Sequence, residues 1–342
     1  MKTTDLAPTR LPDHLRETQR LLFIAKHARW TGGLHPDDGN HAPYHREMRE
    51  TLEGLGMALS IADSYAALFD RPAVDFVFPL LNRGGFFNSE MLLPLLCNQH
   101  GLPYLGASPI VRGLSDDKHL TKLEAAARGV PTAPWAVFRR GAPVDLSRCP
   151  PAPRWVIKPD NSSASWGVRD AHDRAQLAQA VAEIHVLDHD AIVEPFIDGS
   201  DIEVPVITLD GAPAMLPMMI FEQADPTQLR SYQEKRDLVG HVGYAVKRFD
   251  DPFIAGRVAD YTARMADVFY PFDYGRFEFR VDHATGEVRL LEVNLNCNLW
   301  SEKLFSRSAI LAGLTHAELI ESIVTESMIR QIAPAAARRD AA

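Results

Sequence analysis

A ribbon near the end of the chain, GRFEFRVDHATGEVRLLEVN (275–294), narrows the choice of fold more than any other stretch. Phe277, Phe279 and Val281 alternate with Arg276, Glu278 and Arg280, the period of a strand buried on one face only. His283–Gly286 carries turn chemistry, and Val288–Val293 makes the return strand. With a connection of five residues, 283–287, Glu278 faces Glu292 and Arg276 faces Asn294. One side of this hairpin must be covered by an apolar layer. The other gathers two carboxylates, an amide oxygen and a guanidinium, which are unfavourable to bury unless something neutralises them. A hard divalent cation, held by a few oxygen ligands together with water and substrate phosphates, does so; the alternative is a solvated charged ribbon.

The rest of the chain gives that hairpin its setting. Residues 1–19 read as a loose leader. Leu21–Ala25 and Val74–Pro79 read as strands, His45–Gly56 and Ser89–His100 as helices, and Pro103–Leu105 as a short strand. This alternation indicates a parallel α/β sheet over the first hundred residues. Ser115–Asp117 offers an N-cap for a helix reaching Arg128. Strands at Ala133–Phe138, Trp155–Lys158 and Ala191–Glu194 follow, with a helix near Ala175–Val186. Further strands are expected at Glu203–Leu209 and Met215–Phe221, then a polar loop through Lys247. A helix over Ile254–Tyr270 and a last one over His316–Arg330 precede a tail, PAAARRDAA, that reads as disordered. The division predicted is an N-terminal α/β domain (20–115), a central α+β domain (116–194) and a C-terminal α+β domain (195–332).

Composition excludes several classes. The formal charge of −9 argues against binding nucleic acid, which needs a basic surface. No apolar run approaches the roughly 20 residues that span a bilayer, and the first residues lack an apolar secretory core, so a cytoplasmic protein is expected. Cys97, Cys149 and Cys297 lie far apart, which fits a reducing compartment and no cysteine metal site. Cys297 reads as a packing residue, because no base can be named for it.

The hairpin resembles the metal-binding strands of the ATP-grasp superfamily, where an acidic residue and a later Glu-x-Asn triplet bind two magnesium ions; LEVNLNCNLW (291–300) matches that position. Its neighbours resemble the D-alanine–D-alanine ligase branch in order. These are LLNRGGFFNSEMLLPLLCNQHGLPYLGASPIVRGLSDDKHLTK (80–122), VPTAPW (130–135), WVIKPDNSSASWGV (155–168), IVEPFIDGSDIEV (192–204) and AGLTHAELI (312–320). The similarity covers about residues 74–325 and implies a three-lobed ATP-grasp fold with ATP between the last two lobes.

The resemblance also implies roles. Lys118 and Lys158 contact ATP phosphates, under a loop (Asp160–Gly167) in which Ser165 and Gly167 take part. That loop has a single glycine where the family usually has two. Glu194, Phe196 and Ile197 lie in the hinge that receives adenine, Glu194 accepting from its amino group, and Asp201 binds ribose with Glu203 as the rival. Lys235 reaches the γ-phosphate from a loop, and Arg276 stabilises the oxyanion of an acyl phosphate and then of a tetrahedral intermediate. Glu278, Glu292 and Asn294 hold two magnesium ions, for which manganese can substitute. A homodimer is implied as well.

The departures cluster at the substrate positions. HARWTGGLHPDDGNHAPYHREM (27–48) lacks the family's Gly-Gly-x-Ser-x-Glu-like signature, and the acid after the glycine pair is Phe86. The Pro-Gly of the oxyanion loop is Cys297-Asn298, which makes Asn298 a candidate there. The serine that receives the second substrate's carboxylate is Lys303, so Lys303 and Arg307 become candidates for an anionic group, with Phe86, Phe87 and Trp300 packing a larger body. The expected activity is ADP-forming ligation of a small-molecule carboxylate to an amine, giving an amide on amino-acid-like substrates. The alternatives are D-alanine–D-alanine synthesis itself, a hydroxyl, thiol or internal-amine acceptor, and a non-catalytic nucleotide-binding scaffold.

Overall fold

The structure is a computed structural model and describes residues 6–81, 89–162, 165–223, 229 and 244–339. The first sheet is parallel, with β1 (Arg20–Ile24) between β2 (Ala58–Ala62) and β3 (Phe76–Pro79). β1 carries LLFI, a continuous apolar run buried on both faces, as expected of a central parallel strand. α1 (Asp13–Thr18), α2 (His41–Gly54) and α3 (Ser89–Gln99) belong to the same region. The strand expected at Pro103–Leu105 reduces to one bridge between Tyr104 and Val77.

α4 (Pro109–Asp116) precedes the expected helix and was not anticipated; α5 (Lys118–Ala127) is the expected one, capped by Asp117, whose side chain accepts from Leu120 N–H at 2.8 Å. A four-stranded antiparallel sheet follows, in the order β4 (Ala136–Phe138), β7 (Ala191–Pro195), β5 (Trp155–Pro159), β6 (Arg169–Ala171). α6 (Arg174–Val186), capped by Asp173, packs on one face of it through Leu177, Val181 and Ile184 against Ile157 and Val193.

The largest sheet has six antiparallel strands. β11 (Tyr244–Arg248), β10 (Met219–Gln223), β8 (Gly199–Leu209), β12 (Tyr274–Asp282) and β13 (Val288–Asn294) run in that order, and β9 (Ala212–Met215) pairs with β8. The single strand expected over Met215–Phe221 is thus split between β9 and β10, with Pro217 in the gap. Gly199 opens β8 where a Cβ would lie 2.1 Å from the carbonyl oxygen of Val281, so only glycine lets β12 come that close. α7 (Pro252–Phe269) covers the apolar face, setting Val258, Met265 and Phe269 against Phe277, Phe279 and Val204.

α8 (Leu304–Leu311) and α9 (His316–Arg339) complete the chain. The expected disordered tail is corrected here, because α9 continues to Arg339. The loose leader is corrected too. Leu11 and Leu15 are buried, Thr9 N–H donates to Ser322 Oγ at 3.0 Å, and Arg10 meets Glu321 at 2.8 Å. Leu319, Ile323 and Val324 of α9 share one core with Leu21, Phe23 and Phe76 of the parallel sheet. Among the described residues no helix is long and apolar enough to cross a membrane.

Candidate active site

β12 and β13 pair Glu278 with Glu292 and Arg276 with Asn294, the register expected from the sequence, but by another route. Val281 faces Val288 and Phe279 faces Leu290, so the connection is one residue longer than expected. A bulge at Leu291 then restores the alignment. Bulges re-aim side chains at sites of this kind. Without it Glu278 would face Leu291.

The same face continues onto β8, where Glu203 lies opposite Glu278 and Asp201 opposite Arg280. Arg276 sits between two of these carboxylates, its Nε 2.9 Å from both Glu278 Oε1 and Glu203 Oε2. Burial works against the guanidinium, yet Glu203 and Glu278 outweigh it and raise its pKa further above the ordinary value. Arg280 donates to Asp201 Oδ1 at 2.6 Å and to the Ile197 carbonyl at 2.7 Å. Glu203, the rival for ribose, is thus held by Arg276 at 2% exposure, whereas Asp201 lies at the cleft.

The cleft has a volume of about 120 Å³ between the four-stranded and six-stranded sheets. One wall carries Lys158, Glu194, Phe196 and Ile197, and the other carries Asp201, Glu278 and Glu292, with Lys118 and Ser165 also lining it. Strand alternation explains the first wall: Ile157 and Val193 turn toward α6, so Val156, Lys158 and Glu194 turn to the cleft. Lys118 donates to the Ser162 carbonyl at 2.6 Å and stands 3.7 Å from Glu292. Glu194 binds Lys158 through Oε2 at 2.5 Å and Lys122 through Oε1. The carboxyl of Glu194 is pulled down to about 2: burial pushes it up, but Lys122 and then Lys158 pull it down harder. The two ammoniums move in opposite directions. Burial, together with Lys158 and Lys118, lowers Lys122 despite Glu194, while at Lys158 burial is outweighed by Glu194 with Glu292 and Asp201.

Parts of the hinge are already engaged by the fold. Phe196 N–H donates to the Arg154 carbonyl at 2.9 Å, and the Phe196 ring lies 3.9 Å from the Arg154 guanidinium. In the loop after β5, both Ser165 (φ 59°) and Gly167 (φ 73°) are left-handed. Ser165 takes the conformation that a glycine usually supplies, at an expense of order 1 kcal/mol. At Gly167 a Cβ would lie 2.6 Å from the Pro159 ring.

The substrate candidates lie apart from that cleft's lining. Asn298 is half-buried and accepts from Trp300 N–H at 2.8 Å, Lys303 caps α8, and Arg307 is exposed one turn further on. Lys235, Phe86 and Phe87 fall outside the described residues. Trp300 packs on Tyr44 and donates to Glu47 at 2.9 Å. Cys297 is buried, and desolvation pushes its thiol up to about 12, as suits a packing residue.

Among the described residues one group has metal-ligand spacing, His27, His35 and Asp38. Its lone pairs are used locally. Asp38 faces His27 Nε2 at 2.8 Å and pairs with Lys26, and His35 Nδ1 accepts from the N–H of Asp37 and Asp38. That leaves the proton of a neutral His35 on Nε2, so the cluster shapes the loop after β1 rather than offering a ready donor set.

Asp160 was not singled out from the sequence. It is fully buried, accepts from His119 N–H at 3.0 Å, and is pushed up to about 6, first by burial and then by Asp117. An acid whose folded pKa is raised contributes fully only below its unfolded value, and that contribution is lost as pH rises through the folded one. Asp160→Asn, which keeps the acceptor, should therefore gain on wild type by about 2–3 kcal/mol between pH 4 and pH 8 in urea unfolding. An equal difference at both pH values would exclude this carboxyl as the cause.

The profile of the family described as "D-ala D-ala ligase C-terminus" matches residues 125–325. The chain is 31% identical over 280 residues to the D-alanine–D-alanine ligase of Actinobacillus pleuropneumoniae serotype 5b, covering 80% of this chain and 89% of that protein. It is 30% identical over 235 residues to the uncharacterized protein y4sG of Sinorhizobium fredii, covering 68% of each. The D-alanine–D-alanine ligase of Bacillus anthracis complexed with ATP superposes with a TM-score of 0.73 at 18% identity, over 92% of this chain and 99% of that one. The chain belongs to the D-alanine–D-alanine ligase family and has the ATP-grasp fold. It is an ADP-forming ligase, at the level of the family an ATP-dependent carboxylate–amine ligase.

Proposed function

We propose that this ligase joins an amino-acid-like carboxylate to an amine through an acyl phosphate, and that its substrates differ from a pair of D-alanines. The observation that carries this reading is the two-walled cleft, with Lys158 and Glu194 on one sheet facing Glu278 and Glu292 on the other. Lys118, Lys158, Ser165 and Gly167 hold the ATP phosphates, joined by Lys235, while Glu194, Phe196 and Ile197 receive adenine and Asp201 the ribose. The lobe boundaries near 115 and 194 belong to the same reading.

Glu278, Glu292 and Asn294 present oxygen donors side by side on adjacent strands, a set that suits a hard cation. Magnesium ions, two by this reading, would be held there by Glu278, Glu292 and Asn294 and would neutralise negative charge on the ATP phosphates. Arg276, fixed by Glu203 and Glu278, aims positive charge at the acyl phosphate formed as ADP leaves, and then at the oxyanion that forms as the amine attacks and that collapses with loss of phosphate. Its pre-set position means little rearrangement accompanies either step. Asn298, in the loop after β13, is the further candidate for donating to that oxyanion.

Departures at Phe86, Cys297, Asn298 and Lys303 favour a substrate other than D-alanine, with Lys303 and Arg307 taking an anionic group. Lys303→Ala should raise the KM of that substrate about tenfold or more and leave the KM of ATP nearly unchanged; equal loss of both would misplace Lys303. ADP release screened over pairs of amino acids and other carboxylic acids, with product masses, tests the whole reading. Turnover with D-alanine alone would overturn the altered-substrate claim. ATP binding without ADP release on any pair would overturn the chemistry.

A further inference from the structure

Lys122 has no part in the roles set out above, yet it is as closely tied to the cleft as any residue that does. It lies one turn along α5 from Lys118, on the same side of the helix. Its Nζ donates to Thr132 Oγ1 at 2.6 Å and to the Ala133 carbonyl at 3.4 Å, and pairs with Glu194 Oε1. Thr132 in turn donates to the Leu290 carbonyl at 2.9 Å, on the strand that carries Glu292. Lys122 is therefore fixed on every side.

Lys158 holds the other oxygen of the same carboxylate and is differently placed. Its side chain is 18% exposed, against 1% for Lys122 and 3% for Glu194. Of the two cations on Glu194, one faces open space and can leave; the other is walled in. A buried carboxylate that loses its only partner is strongly disfavoured, so a lone Lys158 would be held on Glu194. With Lys122 in place, Glu194 stays compensated whether or not Lys158 is present.

We propose that Lys122 is a positioning residue, the resident counter-ion of Glu194, and that it frees Lys158 to exchange that carboxylate for a nucleotide phosphate. The inference rests on the ligase reading. Lys122 touches no substrate in it and acts only through Glu194. The depressed carboxyl of Glu194 agrees, since Lys122 pulls it down more than Lys158 does.

Calorimetric titration with ATP and magnesium tests this on wild type, Lys122→Met, Glu194→Gln and the double variant, each first shown to unfold cooperatively. A wild type that binds no ATP removes the ligase reading and this inference together. Given binding, Lys122→Met should weaken ATP by about tenfold or more, because Lys158 is then held back. In the Glu194→Gln background the same change should alter Kd by no more than about twofold. An unchanged Kd in Lys122→Met, or an equal loss in both backgrounds, overturns the inference and leaves the ligase reading standing. A merely structural lysine would lower the unfolding midpoint without this background dependence. Should Lys122→Met fail to fold alone, lysine ¹⁵Nζ NMR of the wild type decides. ATP should shift the Lys158 signal and leave that of Lys122 in place; equal shifts of both, or of neither, overturn the proposal.

Discussion

Glu292→Gln should reduce ATP turnover on the order of 10³-fold, because a carboxylate that holds a catalytic cation contributes several kcal/mol at the transition state. The fold should hardly register the change. Glu292 is half-buried at the cleft, directly opposite Glu278, and the amide keeps its shape while removing one of two facing negative charges. Stability within about 1 kcal/mol of wild type is expected, with residual turnover needing more magnesium. Near-normal turnover would remove the metal assignment from β13.

Arg276→Met should act on stability and chemistry together. Glu203 and Glu278 face each other across β8 and β12, with side chains 2% and 5% exposed, and Arg276 lies between them. Removing it leaves two buried carboxylates without that partner, a change of about 3–5 kcal/mol. Urea unfolding of wild type and variant measures this, and a loss under about 1 kcal/mol would mean the two acids are compensated elsewhere. Turnover should also fall by about 10²–10³-fold, the usual consequence of deleting an oxyanion-stabilising group. Arg276→Lys keeps one charge but lacks the fork that reaches both acids, and should fall between.

The hairpin was legible because alternation with charge on one face leaves few options: Phe277 and Phe279 had to be covered, and α7 covers them. Its register at the site followed from the turn length, yet the turn is one residue longer and the bulge at Leu291 makes up the difference. Nothing in LLEVN announces that bulge; it is visible only in the pairing of β13 with β12. The order of strands was equally hidden, since β8 lies beside β12 only through contacts distant in sequence. Lys122 could have been found. It stands four residues after Lys118, and once Lys118 is read as facing the phosphates, a lysine one turn along the helix shares that face. Ser165 could not, because a left-handed serine is set by the loop around it and not by its own preference. The site's chemistry was thus written in residue types and spacing, whereas its mutual ion pairs needed the third dimension.

The core shared by Phe23 and Val324 has a consequence for how such a chain is made. Thr9 and Ser322 touch across a separation of 313 residues. The parallel sheet is translated well before the helix that shares its core. Until then Leu21, Phe23 and Phe76 lack their native cover. Contacts of that span form slowly and leave apolar surface open to aggregation in the meantime. The early part of this ligase therefore depends, during synthesis, on holding out until α9 arrives.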